Sequence, residues 1–418
     1  MSFAEFERGL PRWALVKYRM DPYEITDVAQ AVQAAFAAVA TTIKPGQSVC
    51  LTAGSRGIDR IAEVIAACVD AVKRLGAHPF IVPAMGSHGG ATAEGQLEVL
   101  ASYGITPESM GCEIRSSMAT VQLGLVEDGI PVYLDKHAYG ADVIIPINRV
   151  KPHTDFHGPV ESGLLKMIAI GLGKQKGADT FHAQGFSLFH RLIPAVGRYT
   201  LSQVNIPFGL ALVENGHARL AQIEAVPAER IWEREQALVR QARERMARLP
   251  VAALDVLVLD FIGKDISGLG MDSNVVGRYY TGPTGTGPAV QRIVVRDLTP
   301  ATEGNAVGIG MADVVLQQAV DQMDRHKTYM NCITAKTPEG ARVALTVQTD
   351  REALAVALAC CLKVHNETAR VIRVQDTKHL ERFYASEALL PELLATGACE
   401  VLGELHEMRF DADGMFAE

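Results

Sequence analysis

The sequence lacks the features that mark membrane-spanning and secreted proteins. No segment reaches the length of about 18 uninterrupted apolar residues that suggests a transmembrane helix. The N-terminus, MSFAEFERGLPRW, has no basic stretch followed by an apolar one. The seven cysteines are odd in number and show no CxxC spacing, which argues against a disulfide framework and against a cysteine-based zinc site. These absences predict a cytoplasmic protein in a reducing compartment.

The chain also lacks clusters of basic residues. Forty Lys and Arg residues are scattered among forty-eight Asp and Glu residues, giving a net charge of −8. This distribution excludes nucleic acid and anionic membranes as expected partners. Apolar types make up 48% of the 418 residues, enough for buried cores, and single cores rarely grow past roughly 250 to 300 residues. The length therefore predicts two or three domains.

Hydrophobic periodicity predicts an α/β fold. Short apolar runs alternate with segments of helical spacing over 49–53, 58–75, 79–85 and 91–103. This alternation is typical of a parallel sheet. A hairpin over 121–134 and a further strand over 141–148 predict that the sheet is mixed. We therefore expect two domains, each a mixed, mostly parallel sheet flanked by helices, with the active site in the cleft between the domains.

A charged helix over 227–248, ended by Pro250, would serve as a connector, because a new apolar strand follows at 254–261. We predict domains at 1–249 and 250–400, and a tail at 401–418 that returns to the N-terminal domain. The second half again alternates predicted strands and helices: strands at 292–295, 341–347 and 369–374, and helices at 311–322 and 351–361.

Ligands in open α/β sheets bind beyond the carboxyl ends of the strands, so loops after predicted strands are the places to inspect. Arg56 follows the first strand and offers a bidentate donor for phosphate or carboxylate. His88 follows the second strand, flanked by glycines, and titrates near neutrality as a general base should. The alternative for both loops is an ordinary turn with an exposed side chain.

The segment 146–166 contains two histidines and ends at Lys166, which lies in the apolar run 163–173. Lysine is rarely buried, and a desolvated lysine has a lowered pKa and can act as a nucleophile or covalent anchor. The alternative is a lysine whose amine reaches solvent from an amphipathic helix. Sixteen residues further on, His182 is a candidate metal ligand or a helix cap.

Taken together, these short motifs resemble a known family, the nickel-pincer nucleotide-dependent 2-hydroxyacid racemases and epimerases (lactate racemase-like). The shared features are a Ser-Arg after the first strand, a Gly-Ser-His after the second, a His before a Ser-Gly stretch that leads to Lys, and a His sixteen residues past that Lys. Their order and spacing across 56–182 make the combination more specific than any one motif. A weaker similarity extends over nearly the whole chain.

The resemblance implies an isomerase that inverts C2 of a 2-hydroxy acid by hydride transfer to and from a nickel-pincer nucleotide, a pyridinium-3-thioamide-5-thiocarboxylic acid mononucleotide carrying nickel. Its N-terminal domain would bind the cofactor and its C-terminal domain would close over the substrate. Cofactor-maturation enzymes are implied as partners. The residues matching the family's roles are the tethering Lys166, the nickel ligand His182, the bases His88 and His157, the substrate-orienting Arg56, and the cofactor-binding Gly86, Ser87, Gly89, Ser162 and Gly163.

The sequence departs from the family's pattern in two places. His157 precedes Lys166 by nine residues, one fewer than expected, so His153 competes for its role and is also a candidate for substrate binding. In the second half, the family's substrate-closing groups are matched only loosely, by Lys264, Asn274 and Arg278. The altered loop makes lactate itself a doubtful substrate.

Two other functions compete with this interpretation. In one, His88, His153 and His157 bind Zn²⁺ in a hydrolase or lyase. In the other, a non-catalytic protein binds a phosphate or carboxylate ligand through Arg56 and the loop 86–90. The sequence does not predict the oligomeric state or the side chain beyond C2 of the hydroxy acid.

Overall fold

The computed structural model describes residues 9–55, 57–280 and 287–418. Its strands are β1 (Arg12–Tyr18), β2 (Ser48–Ala53), β3 (His78–Pro83), β4 (Thr120–Val126), β5 (Ile130–Asp135), β6 (Val143–Ile145), β7 (Ile147–Arg149), β8 (Phe208–Glu214), β9 (Leu220–Pro227), β10 (Ala253–Ile262), β11 (Ala289–Leu298), β12 (Val314–Leu316), β13 (Leu345–Val347), β14 (Val371–Val374), β15 (Arg382–Ser386) and β16 (Cys399–Glu407).

The helices flank these strands. They are α1 (Val28–Ala37), α2 (Ile61–Arg74), α3 (Ala93–Ser102), α4 (Pro107–Met110), α5 (Lys136–Tyr139), α6 (Leu164–Lys166), α7 (Lys174–Gln184), α8 (Phe189–Gln203), α9 (Ile231–Arg245), α10 (Ser273–Val276), α11 (Gln317–Asp321), α12 (Arg325–Ala335), α13 (Asp350–Ala359) and α14 (Leu390–Ala395). A π-helix, Met167–Gly171, continues α6. The predicted class, mixed α/β with parallel-rich sheets, is confirmed. Among the described residues, no helix is long and apolar enough to cross a membrane.

The chain divides into two units. The N-terminal unit is Tyr23–Met246, and the C-terminal unit combines residues 9–22 with the chain from Ala247 to Glu418. The division near Met246 lies close to the predicted boundary, but the first strand differs from the prediction. β1 lies between β15 and β16 in the sheet of the C-terminal unit, so it does not belong with the segment that follows it. The tail strand β16 likewise pairs with β1 and stays in the C-terminal unit.

The N-terminal unit contains the parallel sheet β3-β2-β6, the hairpin β4-β5 and the sheet β7-β8-β9. β2 is almost wholly buried and packs with the apolar face of α2 in one core. The predicted strand 141–148 is two strands, because Pro146 lacks an N–H group and separates β6, which pairs with β2, from β7, which pairs with β8. Thr92 caps α3 by accepting from the Gly95 N–H at 3.0 Å.

The C-terminal unit is one sheet of order β13-β12-β11-β10-β14-β15-β1-β16. The first five strands in this order, β13, β12, β11, β10 and β14, pair in parallel. From β14 onward the pairing is antiparallel, through β15 and β1 to β16. The central strand β10 is an apolar run, as expected for a strand covered on both faces. Trp13 of β1 is fully buried in this unit's core and stacks on Tyr384 at 4.8 Å between ring centroids.

The predicted helix over 311–322 is wrong in its first half. Val314, Val315 and Leu316 form β12, which pairs with β11 and β13, and only Gln317–Asp321 is helical. Three consecutive β-branched or apolar residues fit a buried parallel strand, and the partners on both sides outweigh the helical spacing of the longer window.

Candidate functional site

The sheet β3-β2-β6 brings two of the candidate loops together at its carboxyl edge. β2 comes first in the chain, β3 pairs on one side and β6 on the other, so the strand order reverses at β2, where α/β proteins bind ligands. The hydroxyl of Ser55, after β2, is hydrogen-bonded to the Nδ1 of His88, after β3. The Tyr103 hydroxyl donates to the Ser55 carbonyl at 2.8 Å. The His88 ring is therefore oriented through Nδ1, and Nε2 is the nitrogen that would meet a ligand. Arg56 lies outside the described residues.

The glycines around His88 allow close packing of its loop. Gly86 has φ +60°, and its N–H donates to the Gly171 carbonyl at 3.2 Å. A Cβ at Gly89, where φ is +66°, would lie 2.6 Å from the backbone of Gly95. Ser87, between them, is half-buried. The loop is thus fitted against the π-helix that follows Lys166.

A buried lysine supports the loop of His88 through hydrogen bonds. The Nζ of Lys174, at the start of α7, donates to the Pro83 carbonyl at 2.7 Å and to Gln96 Oε1 at 2.8 Å. The Gln96 amide in turn donates to the carbonyls of Gly86 at 2.9 Å and His88 at 3.2 Å. Burial lowers the pKa of Lys174, whereas Asp135, 3.3 Å away, opposes that shift. This network connects the start of the helix that carries His182 to the loop that carries His88.

Lys166 contacts His153, the residue that competes with His157. Its Nζ lies 2.5 Å from His153 Nε2, and the Asp155 N–H donates to His153 Nδ1 at 3.0 Å. A neutral imidazole whose Nδ1 accepts a hydrogen bond carries its proton on Nε2. In that tautomer the proton on Nε2 is directed at the lysine amine. His153 Nδ1 also lies 3.6 Å from Asp155 Oδ2, so the ring is oriented through Nδ1 and its Nε2 faces the amine of the half-buried Lys166.

Glu161, fully buried, organises the loop of both histidines. Its carboxylate accepts from the His153 N–H at 2.6 Å, from Arg243 at 2.8 Å and from the Gly158 N–H at 3.3 Å. It also lies 3.3 Å from Nδ1 of His157. Because a carboxylate only accepts, His157 carries its proton on Nδ1 here.

A second buried carboxyl group holds the turn that leads to Lys166. Glu235, on α9, accepts from the Leu165 N–H at 3.0 Å, and burial raises its pKa to about 8. A Cβ at Gly163 would lie 2.3 Å from Glu235 Oε1, so only glycine fits against this carboxyl. Asn148 donates to the Gly163 carbonyl at 2.7 Å, and Ser162 pairs with Lys151 through the backbone. The predicted Ser162 and Gly163 are thus parts of the support of Lys166.

Aromatic contacts link His182 to His153 and, through it, to Lys166. The His153 ring stacks on Phe156 at 4.4 Å, Phe156 lies 5.5 Å from Phe189, and Phe189 lies 5.6 Å from the His182 ring. The structure therefore brings Lys166, His153 and His182 into one cluster. Among the described residues, no three His, Cys, Asp or Glu side chains come together as a metal site. This geometry gives no support to a zinc site built from three histidines.

The three candidates in the C-terminal unit make contacts within their own unit. Lys264 donates to the Gly268 carbonyl at 3.0 Å and to Asn331 at 2.9 Å. Asn274 is buried; its side-chain amide donates a hydrogen bond to Asp272 and accepts one from the Tyr279 hydroxyl. Arg278 pairs with Asp313 and donates to the carbonyls of Met311, Val290 and Gln291, contacts that favour a structural role.

Comparison with known proteins gives a structural match. No family model and no curated protein sequence matches the chain. The fold is similar to the lactate racemase apoprotein from Thermoanaerobacterium thermosaccharolyticum, with a TM-score of 0.52 and 12% sequence identity. The match covers 88% of this chain and 99% of that one. The chain shares the lactate racemase-like fold.

Sequence reasoning missed four of the residues that support the site, which are Gln96, Glu161, Lys174 and Glu235, whereas Ser55 is the serine of the Ser-Arg motif after the first strand. Only one signal in the sequence pointed to any of them. Glu161 follows His157 by four residues and precedes the Ser-Gly stretch, a spacing that could have indicated a partner for the histidines. Gln96 and Glu235 lie within helices, α3 and α9, and the sequence around each holds no motif that distinguishes it from an ordinary polar residue on a helix surface.

Proposed function

We propose that this protein is a racemase or epimerase that inverts C2 of a small 2-hydroxy acid with a nickel-pincer nucleotide. The observation that carries the proposal is the contact between the Lys166 amine and His153 at 2.5 Å, in a cluster that extends through Phe156 and Phe189 to His182. The lactate racemase-like fold supports the same reaction class.

The donor set fits the cofactor. A neutral amine at Lys166 is the form able to make a covalent link to the nucleotide. His182 offers an imidazole, a ligand type that suits nickel, and one protein ligand is enough for a metal whose other ligands come from the nucleotide. When bound, the nucleotide would supply a hydride acceptor next to the substrate. The glycines at positions 86 and 89 would let the backbone approach its phosphate.

Histidines of this chain would accept the proton of the substrate's 2-hydroxyl group. His88, held through Nδ1 by Ser55, would accept that proton at Nε2 for one enantiomer. Loss of hydrogen from C2 leaves a planar 2-keto acid, so the other enantiomer needs a base on the other face. His153 and His157 both lie in the loop held by Glu161, but both ring nitrogens of His153 are engaged, one by the Asp155 N–H and the other by Lys166. His157, held through Nδ1 by Glu161, would accept the proton at Nε2 as the second base.

The experiment is maturation with the cofactor-synthesis enzymes, followed by intact-mass and nickel measurement. We expect a nucleotide adduct on Lys166 and about one nickel per chain. Lys166→Arg should lose both, whereas Lys176→Arg, on the exposed side of α7, should keep both. His182→Ala should keep the adduct and lose nickel. Zinc without an adduct would overturn the proposal.

Activity is tested with a panel of 2-deuterated 2-hydroxy acids in ordinary water. Inversion with the label kept at C2 supports hydride transfer, because the same hydrogen returns to the same carbon. Inversion with loss of the label indicates proton abstraction and contradicts the proposed mechanism. A matured, nickel-loaded protein that inverts no member of the panel contradicts the proposed activity.

A further inference from the structure

The sheet of the C-terminal unit has its own point where strand order reverses. From β10 the chain proceeds through β11, β12 and β13 toward one edge, and then returns to place β14 on the other side of β10. Ligands of doubly wound folds bind beyond the carboxyl ends of the two strands at this reversal. The segments to inspect are therefore those after Ile262 and after Val374.

The turn after β14 holds a histidine oriented by a buried carboxylate. Asp376 is 2% exposed, and its Oδ2 lies 2.8 Å from Nδ1 of His379. The His379 side chain is 51% exposed. Because the carboxylate only accepts, Nδ1 carries the proton, and the opposite nitrogen, Nε2, is left for a ligand.

This contact is more than turn stabilisation. The other oxygen of Asp376, Oδ1, accepts from the N–H groups of Lys378 at 2.7 Å and His379 at 3.0 Å, which is enough to form the turn. Oδ2 is used to fix the imidazole ring. Thr377, also buried, accepts from the Asp272 N–H at 2.9 Å, so the turn is attached to the loop after β10 at the reversal itself.

The exposed face of this turn favours an anion. Lys378 and His379 are exposed, and both carboxylate oxygens of Asp376 are committed to hydrogen bonds within the turn. In its doubly protonated form the His379 ring keeps one N–H on Asp376 and donates the other, from Nε2, to a ligand. Together with the Lys378 ammonium it then makes charge-assisted hydrogen bonds to a carboxylate.

We propose that Lys378 and His379, oriented by Asp376, form a carboxylate-binding site whose ligand is a small 2-hydroxy or 2-oxo acid. The choice of hydroxy acid as the ligand rests on the proposed function, whereas anion binding at His379 does not. His379 and Lys378 are binding residues of this site, and Asp376 is a positioning residue that acts through His379.

The test uses the full chain without cofactor, labelled with ¹³C at Cε1 of histidine. L-lactate, D-lactate and inorganic phosphate are titrated separately at constant ionic strength, and His379→Gln assigns the resonance. We expect a saturable shift of the His379 signal with lactate. Either no saturable shift with lactate, or a shift with phosphate alone, would overturn the proposal.

Variants separate the site from a structural role. His379→Gln and Lys378→Met should each weaken lactate binding about tenfold, the loss expected for one charge-assisted hydrogen bond. His365→Gln, an exposed histidine of the same unit, should bind as the wild type does. Lys378 is exposed, so its variant reports on binding even where Asp376→Asn disturbs the turn. Unchanged affinity in both His379→Gln and Lys378→Met would refute the site.

The failure of this inference is distinguishable from failure of the proposed function. A matured protein that inverts no hydroxy acid, while lactate shifts His379, leaves the site standing and removes the reaction. A matured protein that inverts a hydroxy acid, with the same KM in His379→Gln and no shift on titration, removes the site alone.

Discussion

The Nζ of Lys174 donates to Gln96 Oε1 at 2.8 Å, although both residues lie on helices and are fully buried. Through this contact one ammonium group holds the carbonyls on either side of Ser87 by way of the Gln96 amide. The loop of His88 is therefore supported by a buried charge in addition to its contacts with the π-helix.

Lys174→Met should destabilise the protein by about 3–5 kcal/mol, because it leaves Asp135 buried without its cation. Chemical denaturation of the full chain measures the loss. Lys176→Met, an exposed lysine of the same helix, is the matched control and should change stability little. The double variant Lys174→Met with Asp135→Asn should recover part of the loss. Equal stability of the two single variants would contradict this account.

Gly163→Ala should cost about 1–3 kcal/mol, because its Cβ would lie 2.3 Å from Glu235 Oε1 and the carboxyl must move. Gly57→Ala is the control, since a Cβ there meets no atom within 4 Å. A double-mutant cycle with Glu235→Ala should show coupling between positions 163 and 235. Additive changes in the free energy of unfolding would mean that the side chains at positions 163 and 235 do not interact.

Glu235 predicts a pH dependence of stability. Its folded pKa of about 8 lies above the ordinary value of 4.5, so the folded state holds a proton that the unfolded state releases between those values. Stability therefore falls as pH rises from about 5 to about 8. Glu235→Gln keeps the shape and removes the titration.

The measurement for Glu235→Gln is denaturation at several pH values across this window. As the pH rises from about 5 to about 8, the free energy of unfolding of the variant, compared with that of the wild type, should increase by on the order of 1–3 kcal/mol. Parallel pH curves for the two proteins would show that Glu235 is not protonated in the folded state.

Glu161→Ala should change the protonated nitrogen of His157. In the wild type the carboxylate beside Nδ1 keeps the proton there, at 3.3 Å. Without that acceptor the ring should shift toward the Nε2–H form. Imidazole ¹⁵N chemical shifts distinguish the two forms, and His78, the exposed first residue of β3, serves as an internal reference. An unchanged Nδ1–H form in the variant would show that Glu161 does not set it.

The sequence predicts local structure well where the signal is local. The strands β2 and β3 are found where the apolar runs over 49–53 and 79–85 indicated. The prediction over 311–322 is wrong because pairing on both sides of β12 decides its conformation, and partners distant in sequence leave no local signal.

The candidate site shows the same limit. The motifs around His88, Lys166 and His182 could be found from spacing, and the structure brings Lys166 and His182 into one cluster through aromatic contacts that spacing does not reveal. Glu235 contacts the turn before Lys166 from 70 residues away, so its role depends on tertiary structure alone.

The position of β1 determines when each half of the chain can finish folding. All residues of the unit Tyr23–Met246 are synthesised before β15 and β16, whereas β1 must wait for these two late strands to pair. Until then Trp13 has no core to enter. A shortened chain that begins at Ala247 would expose the edges of β15 and β16 and aggregate, but supplying a peptide with the sequence of β1 in trans should restore its solubility.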